Sequence, residues 1–334
     1  MLEACCDRFD DDSLLLVDTP NALVLNLNDA KPLPAMVRAL ARLADQVGKP
    51  RILLCSYSPA SLVNSFLDDG GVRSLKPSRH YVEYVLGLCR ALSADFYLPF
   101  ASQAVFLRPD SRWANDYRTT FDDLCRFWNA PTVLLPPYTT LDLSDFSRVS
   151  VAREQYRPAD PGRIEALAAG RSAAESEAQL SPQDVAGLRR KLNAFRWLLW
   201  PLFPRGFSFA AGERRLKYDA RRGTLADDAG DPGDFVIEVP KLTLQEAVRN
   251  DHVSDLGITM FVRIRLLRRL DPRKVYGVFV LFQVDDYGHL RSPRAFLRWL
   301  RAGLRYSFGA RLPPPPGAAR PHRVRAAWPF TRSR

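Results

Sequence analysis

Several signals that announce a function in other chains are missing here. No apolar run approaches the ~20 residues needed to span a bilayer, which excludes an obvious membrane helix. The start, Met1-Leu2-Glu3-Ala4-Cys5-Cys6-Asp7, has neither the basic flank nor the apolar stretch of a signal peptide. The five cysteines (Cys5, Cys6, Cys55, Cys89 and Cys125) are odd in number and contain no CxxC pair, which argues against a zinc cluster or disulfide framework. Reduced, mostly buried thiols and a cytoplasmic location are the expectation. The four histidines, His80, His252, His289 and His322, are far apart, with no HxH, HxxxH or HExxH spacing. No GxSxG elbow, Walker loop or GxGxxG turn occurs.

What is present is an ordinary globular balance. The 334 residues are 46% apolar and 25% charged, enough for about two domains and a sizeable core. The net charge of +11 is localised. From Arg291 to Arg334 there are eleven arginines and no acidic residue, and removing them from 48 basic residues leaves 37 against 37 acidic ones. The first 290 residues are therefore neutral. A basic end implies an anionic neighbour or a solvated terminus. Within it, 293–305 reads as an amphipathic helix. Arg294, Arg298, Arg301 and Arg305 lie on one face, and Phe296, Leu297, Leu300 and Leu304 on the other.

Strands and helices alternate along the first 150 residues, the pattern of a layered α/β domain. Residues 14–18 and 22–27 read as a hairpin, apolar enough to be buried on both faces. Helices are expected at about 33–47, 78–92 and 120–128, the last capped by Thr120 with Asp122 and Asp123 in its first turn. Strands are expected at 51–55, 96–98, 104–107 and 132–135. Residues 153–180 are polar and alanine-rich, a linker or an exposed helix. Ser181-Pro182-Gln183-Asp184 is a helix start, opening a smaller α+β domain over 181–312. Within it, 260–267 alternates as a half-exposed strand, while 275–282 fits strand or buried helix. Residues 313–334, beginning with Pro313–Pro316, are expected to form a disordered basic tail.

Asp29 is the residue that points to chemistry. A carboxylate at the end of a buried strand is solvated, hydrogen-bonded or metal-bound. A turn or helix cap before Lys31-Pro32 and a metal ligand are both open readings. The hydroxyl-rich loop Ser56-Tyr57-Ser58-Pro59-Ala60-Ser61 fits turn chemistry better than nucleophilic catalysis.

Three segments carry a resemblance. Ala22–Asp29 resembles the "hydrophobic strand, then Asn-x-Asn-Asp" segment of metallo-β-lactamase superfamily proteins of the CMP-N-acetylneuraminate hydroxylase-like branch. Cys55–Ser61 is similar to its "Tyr-Ser-Gly-Ala-Ser" loop, with Pro59 in place of glycine. Tyr97–Ser102 is similar to its "Pro-Phe-Ala" strand end. The resemblance covers roughly residues 7–145. It implies the second half, over 7–150, of an αββα sandwich that holds one or two metal ions, usually zinc, with Asp29 at the carboxylate position. The family's HxHxDH motif is absent, with no room for it before Asp7, and Ser102 and Gln103 stand near where a last histidine ligand would be sought. The implied function is an incomplete or degenerate metal-dependent hydrolase that is inactive and retains no zinc by itself. Its implied partners are a missing N-terminal half or further copies of the chain. The alternative is a non-catalytic binding protein using the basic C-terminal segment for an anionic ligand, membrane surface or partner protein.

Overall fold

The computed structural model describes residues 14–58, 65–73, 77–102, 105–109, 111–151, 161–228, 230–257, 262–290 and 292–309. The chain is mixed α/β, with parallel and antiparallel pairing divided between two main sheets. The first half runs β1 (Leu15–Asp18), β2 (Leu23–Asn28), α1 (Pro34–Val47), β3 (Arg51–Cys55) and the hairpin β4 (Phe66–Asp68) and β5 (Gly71–Arg73). It continues with α2 (Ser78–Ala91), β6 (Phe96–Pro99), α3 (Phe121–Phe127), β7 (Val133–Leu134) and the hairpin β8 (Thr139–Leu141) and β9 (Val149–Val151). The expected strand at 104–107 does not form: residues 105–107 are irregular.

The first sheet has the order β1-β2-β3-β6-β7. Its last four strands are parallel and follow chain order, with the β4–β5 hairpin leaving between β3 and β6, and β1 is an antiparallel edge. Right-handed crossovers between neighbouring parallel strands place their connecting helices on one face. On that face Leu23, Leu25, Leu53, Cys55 and Tyr97 pack with Met36 and Leu40 of α1, Val82, Val85 and Cys89 of α2, and Leu124 of α3. Thr120 caps α3 as expected: the Asp123 N–H donates to its Oγ1 and its own N–H donates to Asp123, at 3.2 and 2.8 Å.

The opposite face of this sheet differs from expectation. Side chains of directly paired residues share a face. The register therefore lays one row, Val17, Val24, Ile52, Phe96 and Val133, across all five strands. A second row, Leu15, Asn26, Leu54 and Leu98, runs beside it. Phe146 stacks on Phe96 at 5.5 Å, and Ile52 is buried. At the edges Leu15, Val17 and Val133 are 37%, 39% and 50% exposed. Among the described residues the 14–27 hairpin is thus buried on one face only, the face on which α1–α3 all pack.

The second half contains α4 (Pro161–Glu177), α5 (Pro182–Ala194), α6 (Arg196–Leu202), β10 (Phe207–Ala211), β11 (Arg214–Asp219), β12 (Thr224–Asp227) and β13 (Phe235–Glu238). It then runs through α7 (Lys241–Arg249), β14 (Arg263–Leu266), α8 (Pro272–Asp286) and α9 (Pro293–Gly309). The helical reading of 153–180 is the one realised over 161–177, and 275–282 lies in α8. Glu175 of α4 accepts from Arg108, from the Leu242 N–H and from Thr243 Oγ1, at 2.8–3.2 Å. The segment is therefore pinned to α7 and to the first half.

The second sheet has the order β12-β11-β10-β13-β14-β4-β5. Its last two strands come from the first half: β4 runs parallel to β14, with Phe66 opposite Ile264, and Phe66 sits in the second core. That core is aromatic. Phe207 stacks on Phe235 at 4.6 Å, while Phe203 meets both edge-on and Phe195 meets Phe282 edge-on. Gly206 (φ 72°) and Gly233 (φ 86°) bring backbone into contact here. A β-carbon at either would run into the carbonyl of Tyr218 or of Gly206.

Two ionic nodes lock α5. Lys191, its side chain 9% exposed, reaches Asp286 at 2.6 Å and Asp251 at 2.8 Å. Asp184 accepts from Ser181, Gln245 and Arg249 at 2.8–3.2 Å. Burial works against the Asp184 carboxylate, but these donors outweigh it and hold its pKa well below the usual range.

The exposed edge residues Leu15, Val17 and Val133 of the first sheet predict self-association. Dynamic light scattering of the purified chain is expected to show concentration-dependent growth. Leu15→Lys with Val17→Lys, at positions already exposed, should suppress it. A monodisperse parent chain at all concentrations would contradict this account of the open face.

Candidate functional site

In parallel α/β sheets ligand sites form outside the carboxyl ends of the strands. Here those ends are Asn28-Asp29 after β2, Ser56-Tyr57-Ser58 after β3, and Phe100-Ala101-Ser102 after β6. The sequence Asn26-Leu27-Asn28-Asp29 makes the first of them turn sharply. Asn26 Oδ1 accepts the Asn28 N–H at 2.9 Å, and Asn28 takes a left-handed φ of 50°, which asparagine tolerates. The Ala30 N–H closes on the Leu27 carbonyl at 2.9 Å. The register slips between Asn26 and Asn28, a bulge that re-aims the strand end. Asp29 follows this turn and is exposed.

Neutral groups stitch the three ends together. The Ser56 N–H donates to the Asn28 carbonyl at 2.8 Å. The buried Ser102 Oγ accepts from the Tyr57 and Ser58 N–H groups at 2.8 and 3.2 Å. Ser58 Oγ accepts from the Thr119 N–H at 3.1 Å, and the Thr119 hydroxyl beside it is buried without a partner among the described residues. Tyr97 donates its hydroxyl to the Cys55 carbonyl at 2.9 Å. Burial pushes the Cys55 thiol far up and the Cys89 thiol up to about 12, so both are inert thiols and not nucleophiles.

Among residues 28–29, 55–58 and 99–102, Asp29 is the one carboxylate. Zinc requires three or four nitrogen, sulfur or oxygen ligands converging on a point. Asparagine and serine side chains that are already engaged do not fit that set. Among the described residues no group of three or more His, Cys, Asp or Glu side chains is placed to hold a metal ion; Asp251, Asp285 and Asp286 converge, but on the Lys191 ammonium. His80 and His252 are exposed. His289 is buried and stacks on Tyr287 at 6.3 Å and on Trp299 at 6.0 Å, and burial lowers its pKa. His322, Gln103 and residues 59–61 lie outside the described residues. Ser102, at the position where a histidine ligand would be sought, instead anchors the loop after β3. Nothing in local spacing signals that role, because its two donors are 44 and 45 residues away.

A cleft of about 460 Å³ lies elsewhere, between α5 and α7, lined by Ser181, Gln183, Asp184, Gly187, Arg190, Val248 and Arg249. Its carboxylate is spent on Arg249 and Gln245. The basic helix α9 forms over 293–309 and packs against α1. Arg294, Arg298 and Arg301 are exposed, as expected from their spacing. Its other face is divided: Phe296 and Trp299 turn inward, while Leu297 and Leu300 remain exposed. Arg305 and Leu304 carry no described side chains, and the tail over 313–334 lies outside the described residues. Among the described residues no helix is long and apolar enough to cross a membrane.

Compared with known families, curated proteins and solved structures, the chain has no match.

Ser102→Ala removes the acceptor for two N–H groups and is expected to cost about 1–3 kcal/mol in urea denaturation. An unchanged midpoint would mean that Ser102 does not hold the loop.

Proposed function

We propose that the first sheet is the second half of a metallo-β-lactamase-like sandwich, and that this chain alone is an incomplete, inactive form of a metal-dependent hydrolase. The observation that carries this reading is the sheet with helices packed on one face and, across the other, the apolar row Val17, Val24, Ile52, Phe96 and Val133, exposed at its ends Val17 and Val133. A helix–sheet layer of this kind reaches a stable form when its second face is covered. In the sandwich the resemblance implies, a second sheet does that. Asp29, exposed at the carboxyl edge of β2, is consistent with the reading. The resemblance would put it at the position the family gives to its carboxylate, and an exposed edge carboxylate is accessible to a metal. The donor set around it does not fit zinc by itself, so no chemical step belongs to this chain alone. What its residues do is hold the edge: the Asn26–Asn28 bulge aims Asp29 outward, and Ser102 keeps the β3 loop beside it.

Metal analysis of the purified chain is expected to find substoichiometric zinc, unchanged by Asp29→Ala. One tightly bound zinc per chain, lost in that variant, would overturn incompleteness.

A second reading, a non-catalytic protein that binds an anionic partner, is favoured by Arg294, Arg298 and Arg301, which stand exposed on α9 beside exposed Leu297 and Leu300. Attraction of this kind is screened by salt. On a sulfonate cation exchanger, Arg298→Glu with Arg301→Glu should elute at markedly lower salt than the parent chain. Equal elution would remove α9 as a binding face.

A further inference from the structure

A different surface, unrelated to the strand ends and to α9, lies at the corner formed by α6. This short helix is held rigidly from below: Phe195 before it, Leu199 within it and Phe203 after it are all fully buried in the second core. Its outer side carries Trp197, 60% exposed, and Trp200, 51% exposed, one helical turn apart. Leu202 is 40% exposed, and Pro201 and Pro204 are exposed beside it. Two of the six tryptophans of the chain therefore face solvent within four residues, although the indole is among the most favourable groups to bury.

The stretch of chain that carries this corner has charges of one sign. Between Val185 and Gly212 the chain has Arg189, Arg190, Lys191, Arg196 and Arg205, and no aspartate or glutamate. Lys191 is engaged with Asp286, and Arg205 with Asp231. Arg189 and Arg196 are exposed and form no ion pair among the described residues. The turn between β11 and β12 brings two more. Asn193 Nδ2 donates to the Gly223 carbonyl at 3.1 Å, and a β-carbon at Gly223 would lie 2.9 Å from Arg196 Nη1. Arg221 and Arg222 precede that glycine and are exposed. The acidic neighbour of Arg222 is Asp219, at 3.8 Å.

We infer that this corner, Trp197, Trp200 and Leu202 with Arg196 beside them and Arg221 and Arg222 on the turn that adjoins Arg196, docks on an anionic lipid surface. Indole rings settle at the boundary between headgroups and acyl chains, with the ring in the apolar layer and the N–H toward water. Guanidinium groups pair with phosphates in a bidentate fork, and the negative potential of an anionic leaflet attracts them. A helix corner bearing tryptophan, leucine and proline suits shallow insertion. Single-stranded nucleic acid would use its aromatics as stacking platforms along a basic groove, a role in which leucine and proline have no part. Charge complementarity and the aliphatic content together favour lipid.

The test uses the full chain and vesicle sedimentation, with phosphatidylcholine alone or mixed with phosphatidylserine, at low and moderate salt. The parent should sediment with the mixed vesicles, less so as salt rises, and remain in solution with phosphatidylcholine alone. Trp197→Ala with Trp200→Ala should weaken binding by about tenfold or more. Arg221→Glu with Arg222→Glu should weaken it in the same direction while leaving both indoles in place. Brominated lipid should quench tryptophan emission of the parent, a readout that needs no variant. All four positions are exposed, so parent-like thermal melting is expected of both variants.

Absence of parent binding to mixed vesicles would overturn the proposal. So would parent-like binding by the tryptophan variant together with loss of binding in Arg298→Glu/Arg301→Glu, which would assign the lipid contact to α9. Tryptophan-dependent retention of single-stranded RNA, or a tryptophan-dependent dimer, without vesicle binding would also overturn it.

Discussion

The pairing of β4 with β14 is the constraint on which the two halves depend. An edge strand presents a row of unpaired N–H and C=O groups that must be satisfied. Here β14 of the second half meets that demand with a strand supplied by the first. The Ile264 N–H donates to the Ser65 carbonyl at 2.8 Å, and Phe66 enters the second core opposite Ile264. Because the hairpin lies between β3 and α2, it cannot leave the second sheet without pulling on the first. The boundary between the sheets therefore does not follow chain order. A cut near residue 150 would leave β14 without its neighbour, which a division of the chain into 7–150 and 181–312 does not anticipate.

The halves differ in how completely they satisfy themselves. The second core is closed by aromatic packing, by the Lys191 and Asp184 nodes and by the donated hairpin. Breaking a buried ion pair of this kind leaves an uncompensated charge, so these nodes specify where α5, α7 and α8 sit. The first sheet is closed by helices on one side only. Its strand ends are tied to one another by Ser102, Ser58 and the Asn28 carbonyl. That arrangement positions Asp29 without giving it companions of its own chemistry. The proposed half-sandwich accounts for both the exposed row ends at Val17 and Val133 and the carboxylate at Asp29.

The α6 corner shows the same logic in the opposite direction. Leu199 and Phe203 fix it so firmly in the core that Trp197 and Trp200 have no inward alternative. Their exposure is a consequence of helical geometry around a well-packed anchor, and the arginines at the β11–β12 turn arrive there through the Asn193–Gly223 contact.

Local chemistry was legible in the sequence wherever the controlling groups are neighbours in the chain. Thr120 and Ser181 cap their helices as expected, each completing a capping box with Asp123 or Asp184, and Asn26–Asp29 turns the end of β2 as its polar run implies. Helices α1 and α2 follow their apolar periodicity. Mixed α/β character and the strand-end position of Asp29 were thus determined by sequence alone, because turns, caps and periodic burial are set within a few residues. Only the tertiary structure decided the rest. Which face of the 14–27 hairpin is covered depends on all three crossovers falling on one side. Whether 161–177 is tethered depends on Glu175 finding α7, and whether 275–282 is helix or strand depends on the core it fills. Ser102 acquires its role from donors at Tyr57 and Ser58, and β4 from an edge at Ile264. Such contacts join residues that are far apart along the chain, and side-chain periodicity carries no record of which distant partner a segment meets.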